Sequence, residues 1–478
     1  MMSSPKTLNA TNLSALGAAR LAELLLELAQ GDAAMKRRLR LELASEAGGT
    51  DVAAEIRKRL VSIARSRSFL DWNKVRPLAQ DLDTQRSAIM THVAPTYPSE
   101  AFELLWRLLD MAPAIYERCD DSSGALGSVF SQALEDIGEV AAQARPDPVR
   151  LADRIYEALC ANEYGQFDGL IPLMAKALGT NGLTMLKAKF GKLSAGKPAS
   201  ADSDSRKVVA IGTRGAIFED DYAARHQARL VQNALADIAD AMGDVDGYAA
   251  LHSEAEQANP AIAARIAERL LTSGRPQDAL EALTRAEVGM GAGGHWPDWQ
   301  RVRIDALDAS GRIGDAQQER WQAFKRNLNK EYLKAFIKRL PDFDDIEAES
   351  QALAYAYRFP DFHQALSFLV EWPAIDDAAR MILARHAELN GDHYWLLGPA
   401  AEAMEQHHPL AATLLLRAMI DFSLDKARYK RYPHAARHLQ TCSHLDSKIN
   451  DYAEHADHQT YMVGLKARHG RKSGFWNA

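Results

Sequence analysis

The chain has 478 residues, 47% of them hydrophobic and 25% charged, with a formal net charge of -7. That composition excludes a disordered polymer and supplies a real core, and the modest charge excludes polyanion binding by bulk charge alone. The length allows two or three domains at roughly 150 residues each. Cys119, Cys160 and Cys442 are odd in number, widely spaced and in no CxxC pair. They argue against a disulfide framework and for a reducing, cytoplasmic location. No apolar run reaches the roughly 18 to 20 residues of a membrane helix. The richest early stretch, Leu21 to Leu28, is interrupted by Glu23 and Glu27, so neither an anchor nor a signal peptide is expected.

Helical periodicity runs through most of the chain. Leu13, Leu16, Leu21, Leu24, Leu25 and Leu28 form one stripe, which predicts an amphipathic helix from Leu13 to Ala29. A second helix is expected from Met35 to Ala47, and a third after the Thr50–Asp51 capping pair through Arg65. Val208 to Gly212 is the best strand candidate. It is short and solitary, and a strand without a ladder partner is expected to be a loop or an extended lead-in. Ser194 to Ser205 holds no large apolar residue and mixes Gly, Pro, Ser and Asp. It reads as a linker, or equally as a long loop within one superhelix. Taken as a linker it gives an N-terminal helical domain over 1–193, a connection over 194–206 and a repeat domain over 207–478.

The later half carries a repeat. Ser273-Gly274-Arg275-Pro276-Gln277-Asp278-Ala279 returns 37 residues later as Ser310-Gly311-Arg312-Ile313-Gly314-Asp315-Ala316. In each copy the Gly suits the left-handed residue that ends a helix, and the small Ala lets the next helix lie close. Pro360 to Leu366 and Tyr432 to Leu439 echo the second half of the motif. This is the logic of a tetratricopeptide-type hairpin, whose period is about 34 residues. The expected fold is therefore all-α, an α-solenoid of stacked helical hairpins, clearest in the C-terminal half from about Asn259 onward.

Several phrases carry a resemblance: Leu13 to Ala22, Lys36 to Glu42, Arg57 to Leu60 with Ile63 to Phe69, Cys119 to Gly124, Tyr164 to Ile171, His408 to Met419 and His469 to Lys472. Together they resemble, nearly end to end, a bacterial family known only as a domain of unknown function with tetratricopeptide-like helices. The C-terminal part is also similar to helical regions attached to SWIM zinc-finger modules, but the SWIM cysteine and histidine ligand set is absent here. The resemblance implies a fold and supplies no catalytic residue.

Of 15 histidines, 11 follow residue 360. His434, His438 and Cys442 are spaced four and four, within about 80° on one helical face. Such N and S ligands suit zinc, with His444, His455 or His458 as a fourth ligand. The other reading is a packed cysteine with histidines at its rim. Asp120 to Gly124 reads as helix capping and Tyr164 to Ile171 as an interhelical turn. No GxxxxGK[ST], GxSxG or HExxH motif is present, and the glycine-rich run from Gly289 to Gly294 follows a helix rather than a strand, which suits a loop. Basic residues gather in Lys36 to Arg76, around Arg428, Lys430 and Arg431 with Tyr429 and Tyr432, and in the tail at Arg471 and Lys472 with Phe475 and Trp476. Basic groups with aromatics between them can follow a phosphate backbone and stack on bases; equally, they clothe outer helix faces. The leading expectation is a non-enzymatic scaffold that binds a protein or peptide partner and needs no cofactor. The alternative is a nucleic-acid-associated protein, and a site assembled from distant residues would make an enzyme.

Overall fold

The computed structural model describes residues 7–195, 208–212, 215–287 and 296–478. The chain divides into two compact units, Met1–Gln257 and Ala258–Ala478. The division falls after the sequence's linker region, because helix Glu219–Met242 packs back along helix Leu170–Ala195 and stays with the first unit. The residues from 196 to 207, and with them most of the expected linker, lie outside the described residues, as does the Gly289 to Gly294 run.

The first unit is built of helices whose apolar faces meet on Ile56, Leu60, Trp106, Phe130 and Phe190. Local chemistry sets their ends. Asp147 accepts a hydrogen bond from the Arg150 backbone N–H at 2.9 Å, and Pro148 follows as the first helical residue, where its missing N–H costs nothing. Asp121 accepts from Leu126 and Gly127 at 3.0 and 3.1 Å and so secures the start of helix Ala125–Ala144. The Tyr164 to Ile171 turn is held by Asn162, which donates to Asp168 at 2.7 Å and accepts from the Phe167 N–H at 3.0 Å.

Two sequence expectations are corrected here. The stretch from Leu13 to Ala29 is two helices, Ala10–Ser14 and Ala18–Ala29, broken at Gly17 where φ is 81°. Its leucines stay largely outside: Leu25, Leu26 and Leu28 are 42, 67 and 67% exposed. Val208–Gly212 is a strand after all, pairing antiparallel with Gly215–Phe218. The partner that the ladder needs is supplied three residues on.

In the second unit each helix packs chiefly on those next or next but one in sequence, from Pro260–Thr272 through to Ser473–Trp476. This is the contact pattern of a helical solenoid. The two SGR motifs are structurally equivalent. Gly274 and Gly311 take φ of 73° and 74°. The N–H groups of Gly274 and Arg275 donate to Leu271 and Leu270 at 2.9 and 2.8 Å; those of Gly311 and Arg312 donate to Asp308 and Leu307 at 3.0 and 2.9 Å. These paired bonds satisfy the orphan carbonyls at a helix end. In each copy the arginine then turns onto the aspartate three residues on, Arg275 to Asp278 at 2.6 Å and Arg312 to Asp315 at 2.7 Å. Ala279 and Ala316 are fully buried under the preceding helix. The same turn recurs after helix Pro409–Asp425, where the Arg428 N–H reaches Ser423 at 2.9 Å, but its left-handed residue is Ala427, at φ 49°. A Cβ in that region costs about 1 kcal/mol. Ala427→Gly is therefore expected to stabilise the unit by up to about 1 kcal/mol, and Gly311→Ala to destabilise it by a similar amount. Urea unfolding midpoints of the two variants test this.

Candidate functional site

The C-terminal unit carries a row of rings that runs from core to surface. Asp361 caps helix Phe362–Glu371 by accepting from the Gln364 N–H at 2.9 Å, which buries Phe362 and leaves His363 at the edge. Phe362 meets His363 edge to face at 5.3 Å, His363 stacks on His393 at 4.2 Å, and His393 lies 5.0 Å from Trp395. Tyr394 adjoins Trp395 at 5.5 Å. The loop before helix Tyr394–Met404 makes this possible. Gly391 is pressed so close to helix Pro409–Asp425 that a Cβ there would run into the Ala418 carbonyl. The Asn390 N–H donates to His363 Nε2 at 3.1 Å. Burial, with His393 alongside, holds the His363 imidazole below its ordinary pKa, which keeps it neutral as that acceptor.

At the outer end Trp395 is 63% and Tyr394 52% exposed. Beneath them Arg431 donates to Asp392 at 2.8 Å, and its guanidinium lies 4.5 Å from the Tyr394 ring centre and 5.8 Å from that of Phe422. The aromatic pair is thus exposed and braced by Arg431 against the Tyr394 ring and by His393, tilted at 45° beside Trp395.

The basic residues expected to contact nucleic acid separate into two groups. Arg428, Lys430 and Arg471 are exposed. Arg431 is taken up by Asp392 and the Tyr394 ring, and Lys472 by the Leu424 carbonyl at 2.7 Å and the Tyr432 hydroxyl at 3.3 Å. The structure does bring the two segments together, because Lys472 spans the turn that holds Arg428 to Arg431. The tail aromatics face inward: Phe475 is buried against Tyr432 and Trp476, and the Trp476 indole donates to the His469 carbonyl at 2.9 Å.

The three residues expected to share zinc are on one helix, Tyr432–Asp446, but are not brought together. Cys442 is fully buried, its Sγ 4.0 Å from the Thr413 carbonyl, and burial pushes its thiol up to about 12. His434 is exposed and accepts from Arg437 at 2.9 Å. His438 is half-buried, and burial lowers its pKa. Among the described residues, the three or more His, Cys, Asp or Glu side chains whose ligand atoms all lie within 4.8 Å of one another are His386, Glu454 and His455. Spacing could not have revealed this set, since its members lie about 70 residues apart in sequence. No helix among the described residues is long and apolar enough to cross a membrane.

Fold and surface together define an almost wholly helical, repeat-type protein, with a short β-hairpin and an exposed aromatic patch. Residues 3–478 match the family described as "Family of unknown function (DUF6880)", and the chain belongs to that family. No curated protein matches. A solved structure described as a "Circular tandem repeat protein with novel repeat topology and enhanced subunit contact surfaces" is similar at 12% identity and a TM-score of 0.16, over 96% of this chain and 94% of that one. A likeness at that level bears on neither fold nor function.

Proposed function

We propose that this chain is a non-enzymatic binding protein whose tetratricopeptide-like C-terminal unit engages a protein or peptide partner through Tyr394 and Trp395. The observation that carries the reading is the exposure of these two rings, Tyr394 with Arg431 against its face and Trp395 beside it. Tyrosine, tryptophan and arginine are the residues that dominate binding energy at protein interfaces, and an aromatic already braced loses little freedom when a partner covers it. Nucleic acid is the second reading, favoured by Tyr429, which is 71% exposed between the exposed Arg428 and Lys430.

Capture from lysate of the native cell, with wild type and with Tyr394→Ala/Trp395→Ala, separates the two. The scaffold reading expects partners that survive nuclease and are lost with the double variant, by about 2 kcal/mol or more of binding energy. Partners that vanish with nuclease and depend instead on Arg428 and Lys430 would replace it with the second reading. Arg431 is unsuitable for charge reversal, because its loss would unseat Asp392 and Tyr394 as well.

A further inference from the structure

The geometry points to a site for a divalent transition-metal ion formed by His386, Glu454 and His455. One ligand atom from each lies within 4.8 Å of those of the other two, a spacing that a single ion can draw into its coordination sphere. The two imidazoles meet edge to face, with ring centres 4.5 Å apart at 87°.

Each ligand is positioned by its own surroundings. His386 opens the 3₁₀ turn His386–Glu388 after helix Ile375–Arg385. Its Nδ1 lies 3.3 Å from the Leu383 carbonyl. A proton on Nδ1 satisfies that carbonyl and leaves the Nε2 lone pair for a metal, the arrangement by which a backbone acceptor fixes the tautomer of a ligating histidine. Glu454 and His455 follow Ala453, whose φ is 46°. The Ala453 N–H donates to Asp451 at 2.7 Å and the His455 N–H to the Tyr452 carbonyl at 2.8 Å. The next residue is fixed by the buried Arg417, which donates to the Ala456 carbonyl at 2.6 Å.

Two imidazole nitrogens and one carboxylate oxygen are the donor set of zinc, cobalt(II) or nickel(II), whereas magnesium and calcium take oxygen shells. Three protein ligands leave positions for water, and Glu454 is exposed, so the ion has a way in. Bound there, it would clip the turn after Ile375–Arg385 to the loop between Tyr432–Asp446 and His458–His469. That is a crosslink within the second unit between segments about 70 residues apart.

The test is titration of the full chain, purified and stripped of metal, with cobalt(II) followed by its visible absorption and with zinc(II) by calorimetry. One equivalent is expected to bind. His386→Asn and His455→Asn should each weaken it by about tenfold or more, a loss at least as large as that from removing a partner of a metal ligand. Glu454→Gln should weaken it less. His434→Ala and Cys442→Ser should leave it unchanged. Because an ion held only by the folded chain stabilises it, zinc should raise the melting temperature of wild type and of Cys442→Ser, and not that of His386→Asn. Binding well below one equivalent, or affinity equal in wild type and in the His386→Asn/His455→Asn double variant, would overturn the site. Far-UV circular dichroism shows whether each variant keeps its helices, and Glu454→Gln, at an exposed position, gives a reading that does not depend on the histidines.

Discussion

Replacing Asp308 with alanine is expected to destabilise the C-terminal unit by about 3–5 kcal/mol, the cost of stranding a buried charge. Arg320 is 2% exposed. It donates to Asp308 through one terminal nitrogen and to Gln317 at 3.0 Å through the other. The pair joins helix Pro297–Ala309 to helix Ile313–Asn327 inside the second SGR hairpin. Counting back the 37-residue repeat, Leu271 and Leu283 hold the corresponding positions in the first copy, so one scaffold accepts either an ion pair or two leucines. The double variant Asp308→Leu/Arg320→Leu should accordingly be neutral or stabilising, since apolar replacement of a buried pair removes the desolvation cost along with the attraction. Urea unfolding of the single and double variants measures the contrast. If the double variant lost as much as Asp308→Ala alone, the equivalence of the two hairpins would not extend to this layer of the core.

The second expected result is a loss of stability in the C-terminal unit as the medium is acidified below pH about 6.5, the ordinary histidine value. His363, His438 and His458 all have pKa values lowered in the fold, first by burial. His393 lowers His363 further, and His434 and Arg437 do the same for His438. At His458 Arg417 lowers the value while Asp446 and Asp457 oppose it. Above the unfolded value the folded and unfolded chains both hold neutral imidazoles, and stability is at its full level. As pH falls below that value the unfolded chain takes up protons that the folded chain refuses, so stability declines until pH has passed the lowered folded values. Urea midpoints at pH 7.5 and 5.5 should differ in that direction, and the triple variant His363→Gln/His438→Gln/His458→Gln should show a smaller difference. An equal difference in the variant would assign the sensitivity to other groups.

The helical solenoid was legible where its signals are local. Gly274 and Gly311, with the arginine and aspartate that follow each, announce the turn within seven residues, and the structure repeats it bond for bond. What depended on distant partners was not legible. Val208–Gly212 looks unpaired until Gly215–Phe218 is known to fold onto it. Gly17 interrupts a leucine stripe whose periodicity alone suggests one helix. His434, His438 and Cys442 share a helical face on spacing, yet a face does not determine depth, and Cys442 sits at the bottom of it. His386 and His455 meet only because two loops converge. Phe475 and Trp476 look available for stacking in a basic tail, but the core had already claimed them.

The neighbour-to-neighbour packing of the second unit also bears on how the chain assembles as it is made. A contact between adjacent hairpins closes only a short loop, so each helix from Pro260–Thr272 onward finds its main partners soon after both have emerged. Low sequence separation of contacts favours fast folding. The clasp at the end is different in kind: Arg468 reaches back to Asp421 at 2.9 Å, His469 to Asp425 at 2.9 Å and Lys472 to Leu424. These pairings wait for the last helices to be synthesised. Until then the Asp421, Asp425 and Leu424 side of helix Pro409–Asp425 lacks the partners that cover it in the finished fold.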